Sequence, residues 1–277
     1  EGTGGEVADN PNIPDDYTQI QINASTDLTT VLSSATDKTA LVFATGSEYS
    51  TSGDIIVPNS VTELMLIGNG NTQVKLALRS IINSGLQKLT LNNLNITGNN
   101  NYTLLSNATG DILTNQFAAN AVIEIKNCEL SGMKYVCKWD GDKNYDAERN
   151  ALSSFTVENC FMHDMRSVFE EYRSTAITLT NSTFYMMTEQ AIHPHTYGTA
   201  PNPTITVQHC TLANLTGTPL QGTNNGCNIV YENNVSTQID PKYSNLSYNT
   251  TTSTGSGNYA VKNDSDGKVA AGGFKDG

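Results

Sequence analysis

The side chains able to do chemistry in this 277-residue chain concentrate between Lys138 and His195. Cys128, Cys160 and Ser182 occupy equivalent places in a repeated motif. Counting eleven residues past each gives Trp139, Glu171 and His193, and counting thirteen past the last two gives Arg173 and His195. If the repeats stack in phase, an aromatic ring, a carboxylate and an imidazole lie one rung apart, with a guanidinium and a second imidazole beside them. An imidazole near neutral pH can take or give a proton, and a neighbouring carboxylate orients it. Arg pairs with carboxylates, and aromatic faces receive apolar ring faces. Glu171, Arg173, His193 and His195 are therefore the expected catalytic groups, with Trp139, Tyr145, Lys138, Tyr172 and Arg166 as the binding surface around them.

The insertion from Gly132 to Ser153 adds a candidate ion site. Asp140, Asp142, Asn144 and Asp146 alternate as the oxygen ligands of a calcium loop do, though Tyr145 stands at the usual Gly and Ala151 at the closing Glu. Asp140, Asp142 and Asp146, with Glu170, form the expected Ca2+ ligand set; the alternative is an acidic surface loop. The five cysteines form no Cys-x-x-Cys or Cys/His pattern, so a zinc centre is not expected. They read as small buried side chains, with a Cys128–Cys160 disulfide as the other option.

The elements positioning these groups follow from one motif: apolar-x-apolar-x-Asn-small-x-apolar. It occurs at Leu89–Ile96, Ile123–Leu130, Phe155–Met162, Ile177–Phe184, Ile205–Leu212 (His209 replacing Asn) and Ile229–Val235, with Leu64–Gly68 a degenerate copy. The steps between corner positions are 34 (93 to 127), 32 (127 to 159), 22 (159 to 181), 28 (181 to 209) and 24 (209 to 233). Short alternating segments of this kind are strands, and a minimum step near 22 with additions describes coils carrying loop insertions. A lone strand of this kind cannot bury its apolar face, whereas stacked copies share a continuous core. The chain is therefore expected to be all-β, a single right-handed parallel β-helix over residues 17–277 with six or seven coils. The Asn corner takes left-handed backbone and can build an amide ladder; His209 in that corner reads as structural. Asp27–Ala35 has helical spacing and is expected to cap the N-terminal end. Residues 250–277 read as a loose last coil, and residues 1–16, rich in Gly, Pro and acid, as a flexible tether.

Composition narrows the partners. A formal charge of −12, with no Lys/Arg run, argues against nucleic acid. No apolar stretch reaches the roughly 20 residues of a membrane span. No signal peptide is visible, so an exported protein would be in its processed form.

The N-terminal helix, the Gly46-Ser-Glu-Tyr49 turn and the Asn-Cys-x-apolar repeat resemble the pectate-lyase-like β-helix superfamily over about Tyr17 to Val261, most of all its members from polysaccharide-utilisation systems of Bacteroides-type bacteria. The resemblance implies a monomer outside the cytoplasm, secreted or held as a surface lipoprotein, acting on polysaccharide such as an acidic plant or host glycan. Phe169-Glu-Glu-Tyr-Arg173 leading to Asn181-Ser-Thr-Phe184 is similar to the chondroitinase B and alginate lyase family. On that likeness Glu170 and Glu171 would hold calcium and Arg173 would stand at the family's Lys base, a position where Arg hardly deprotonates. His193 and His195 occupy the region of the family's downstream Arg motif. The hydrolase motifs of polygalacturonases and the Arg motifs of classical pectate lyases are missing. The expected function is polysaccharide binding without catalysis. The alternatives are a calcium-assisted lyase on uronic-acid glycans and a structural spacer.

Overall fold

A computed structural model describes residues 12–46, 48–51, 53–70, 73–78, 80–83, 85–98, 101, 103–106, 117–138, 150–170, 173–194, 202–216, 220, 227–237, 250–263 and 269–272. The alternating segments are strands, and each pairs with its counterpart one coil away, giving the expected right-handed parallel β-helix. The described residues form a first sheet of ten strands, a second of ten and a third of six. Leu64/Leu66, Leu89/Leu91, Ile123/Ile125, Phe155/Val157, Ile177/Leu179 and Ile205/Val207 all point from the first sheet into one core at 0% exposure. The coils outnumber the six or seven expected. Ten strands at about 4.8 Å make a stack roughly 45 Å long, because the outermost coils lack the Asn signature yet still pair.

Each corner residue, Asn93, Asn127, Asn159, Asn181, His209 and Asn233, takes left-handed backbone with φ between 50° and 57°. The Asn127 side chain donates to Asn92 Oδ1 at 2.9 Å, and Asn159 donates to Asn127 Oδ1 at 2.7 Å. The residue after the corner builds a second ladder. The Cys128 amide meets Cys160 Sγ at 3.4 Å, the Cys160 amide Ser182 Oγ at 3.0 Å, and the Cys210 amide Asn234 Oδ1 at 2.9 Å. A small acceptor there satisfies a buried amide of the preceding coil. All five cysteines are buried free thiols, so the coils are joined by this ladder rather than by a disulfide.

The N-terminal end is closed, and at the other end the second sheet is closed. The helix Leu28–Ser33 is capped by Asp27, whose carboxylate accepts from the Thr29 amide and the Thr30 hydroxyl. Its Leu28 and Leu32 close the core. Ile13 and Tyr17 cover Ala40, Val42, Met65 and Ile67 on the outer side of the first sheet, so the early strands are buried on both faces. At the other end Thr250–Thr254 and Tyr259–Asn263 continue the first and second sheets in parallel. Val269–Gly272 then pairs antiparallel with Tyr259–Asn263 and blocks that edge. No helix among the described residues is long and apolar enough to cross a membrane.

Candidate functional site

The third sheet carries the site. Its strands Tyr135–Lys138, Ser167–Glu170 and Ile192–His193 lie side by side, with Cys137, Phe169 and Ile192 in one buried row. Phe169 also packs on Phe155 of the first sheet, ring centres 4.9 Å apart, which anchors the middle strand. The next row is Lys138, Glu170 and His193. Glu170 is 6% exposed and sits 2.8 Å from His193 Nδ1 through Oε1, while Gln190 Nε2 donates to its other oxygen at 3.3 Å. A buried carboxylate needs such partners. Donation from Nδ1 to Glu170 leaves Nε2 as the nitrogen able to take up a proton.

Beside this row lies a cationic cluster on one ring. Tyr135 has the Lys138 ammonium 4.5 Å from its centre, the Arg166 guanidinium at 5.4 Å and the Lys134 ammonium at 5.6 Å, all within cation–π range. The Tyr135 hydroxyl donates to Glu189 Oε2 at 3.0 Å, and Arg166 pairs with the other oxygen of Glu189. Burial, reinforced by Glu189, pushes the Tyr135 phenol well above its ordinary value, so it remains a protonated donor.

Of the expected residues, Lys138, Glu170 and His193 thus share a row, and Arg166 joins them through Tyr135 and Glu189. The expected phase is off by one. His193 faces Glu170 rather than Glu171, because the turn Thr188–Ala191 holds one residue more than its counterpart Arg166–Val168. Arg173, 6% exposed, lies on the turn into the first sheet, where its carbonyl accepts from the Leu152 amide. Trp139, Tyr145, Glu171, Tyr172, His195 and the ligands Asp140, Asp142 and Asp146 lie outside the described residues. Glu170 commits its oxygens to His193 and Gln190, and among the described residues no three His, Cys, Asp or Glu side chains gather as a metal cage. The described residues do not by themselves fit calcium. Asp164 belongs to the second sheet, where it binds His163.

Tyr135, Glu189 and Gln190 were not among the expected site residues. A signal for two of them exists: Tyr135 and Glu189 each stand seven residues past the small position of their coil, at Cys128 and Ser182. Gln190 lies in the lengthened turn and has no such mark.

No family model and no curated protein matches the sequence. Among solved structures, a PL6 family alginate lyase, AlyGC in an arginine-to-alanine variant, superposes with a TM-score of 0.58 at 14% identity. The match covers 92% of this chain and 42% of that one, so this chain spans less than half the length of that lyase. The likeness is one of fold: the two share a parallel β-helix.

Proposed function

We propose that this chain is a polysaccharide-binding β-helix that acts outside the cytoplasm and lays an acidic glycan across the third sheet, as a surface lipoprotein or secreted member of a glycan-utilisation system. The observation carrying this reading is the cluster of Lys134, Lys138 and Arg166 on the Tyr135 ring, next to the Glu170–His193 pair. A protein of charge −12 must concentrate cations locally to receive uronates, and Lys134 and Lys138 on this ring do so beside Arg166, whose charge Glu189 offsets. The fold shared with a protein named as an alginate lyase supports the substrate class.

The Glu170–His193 hydrogen bond favours a second reading, elimination on the same glycan. His193 Nε2 would take the proton from the carbon next to the uronate carboxyl, Glu170 would steady the resulting imidazolium, and that imidazolium would pass the proton to the leaving oxygen as the C–O bond breaks. Calorimetry against alginate, pectate and glycosaminoglycan, together with ultraviolet absorbance of unsaturated sugar ends, separates the readings. Binding heat without absorbance growth is expected, weakened a few-fold in Lys138→Ala, as suits a partly solvated ion pair. Absorbance growth lost in His193→Ala would establish the lyase, and no heat with any acidic glycan would refute both.

A further inference from the structure

The second sheet carries a constellation unrelated to the third-sheet cluster. Phe161 stands 40% exposed on the strand Phe161–Met165. His163, two residues on, stacks against it with ring centres 4.3 Å apart and planes 25° apart. Both nitrogens of that imidazole are held: Nδ1 is 2.6 Å from Asp164 Oδ2, and Nε2 is 3.2 Å from Glu129 Oε1 on the preceding coil. Asp164 reaches the ring because its own backbone is left-handed, with φ 53°. The two carboxylates sit at opposite ends of the ring, so they cannot share a metal ion with it. They fix its plane, and with it the side of Phe161 that stays in water.

Along the solenoid axis Phe161 continues a row of hydrogen-bonding side chains: Asn95 and Glu129 before it, Thr183 and Thr211 after it. Lys75 extends the row beyond Asn95 but is paired with Glu48 at 3.2 Å. Among the described residues beside Phe161, the charges are those of Glu129 and Asp164, bridged by the His163 ring. That balance repels a uronate and suits an uncharged sugar, whose hydroxyls donate to carboxylates and whose C–H face lies on an aromatic ring. Rungs about 4.8 Å apart are close to the advance of one pyranose in an extended 1,4-linked chain.

The geometry points to a second glycan site on this sheet: an uncharged, extended polysaccharide running along the axis, with one sugar on Phe161 and its hydroxyls on Glu129 and Thr183. It stands or falls separately from the third-sheet reading. The test is affinity electrophoresis and calorimetry with galactomannan, xyloglucan and mixed-linkage β-glucan, and with alginate in parallel. Wild type should bind at least one uncharged polymer. Phe161→Ala should lose about tenfold in affinity, the effect of some 1.4 kcal/mol, with an unchanged melting midpoint and unchanged alginate response, and Phe161→Trp should retain binding. Failure of every uncharged polymer to bind overturns the proposal, as does equal binding by Phe161→Ala. So does sedimentation showing that Phe161→Ala merely dissociates a dimer.

Discussion

The corner column can be tested at Asn127, where side-chain bonding and backbone strain can be separated by two substitutions. Its amide donates to Asn92 Oδ1 at 2.9 Å and its Oδ1 accepts from Asn159 at 2.7 Å, while its backbone sits at φ 54°. Both side-chain bonds are solvent-exposed, so their loss costs about 1–2 kcal/mol together, the lower part of the usual range. Asparagine and alanine both carry a Cβ into left-handed backbone, but the short polar side chain of asparagine offsets part of that clash; alanine loses the offset, about 1 kcal/mol, and glycine has no clash to offset. Asn127→Ala should therefore destabilise by about 2–3 kcal/mol and Asn127→Gly by about 1–2 kcal/mol, since the extra backbone entropy of glycine offsets the relief of its missing Cβ. The Asn127 backbone amide keeps its bond to the Glu158 carbonyl in both variants, so the coil itself persists. Urea unfolding followed by circular dichroism, with midpoints compared at constant slope, reads the difference. Glycine proving as harmful as alanine would show that left-handed strain contributes nothing, and two neutral variants would remove the amide ladder from the energetics.

Alkali should unfold the protein earlier than acid-base neutrality alone requires. Burial raises the thiols of Cys137 and Cys210, the latter to about 11 from an ordinary 9.0, and raises the phenols of Tyr17, Tyr135 and Tyr231 from 10.0. Below pH 9 these groups hold their protons in both folded and unfolded chains; above it the unfolded chain releases protons that the folded one keeps, so stability falls with rising pH. Urea midpoints at pH 7, 9 and 10.5 should decline across the last interval, and a flat profile would contradict the assignment. For calcium, melting curves in calcium and in chelator should separate if Asp140, Asp142 and Asp146 hold the ion with Glu170, and should coincide if they form an acidic surface loop alone.

The winding of the chain was legible because its corners impose a demand that few residues meet. All six positions picked out by the repeat, including the substituted His209, take left-handed backbone. A second left-handed column at Gly132, Asp164, Met186 and Asn214 is harder to see because no one residue repeats in it: Gly, Asp and Asn favour this backbone, while at Met186 the pairing of the coil imposes it. The first coils escaped notice for a related reason: Ala40–Phe43 is buried on both faces, so its pattern is continuous rather than alternating. In the site, residue types and approximate phase were readable, and Lys138, Glu170 and His193 do meet. Their register depends on the length of a turn, and turn length is not encoded by any residue preference. Glu189 was hidden because its role rests on contacts two coils away with Tyr135.

The lengthened turn at Thr188–Ala191 shows where novelty can arise in such a scaffold. Each coil answers only to its neighbours, so a residue gained in one exposed bend is taken up there while the strand beyond keeps its place and the hydrophobic interior stays as it was. The extra residue is taken up within the bend, so Ile192 still lies beside Phe169 in the core row and His193 still meets Glu170. Residues held in such bends, as Gln190 is here, can therefore bring new partners to the groups on this wall without disturbing their pairing.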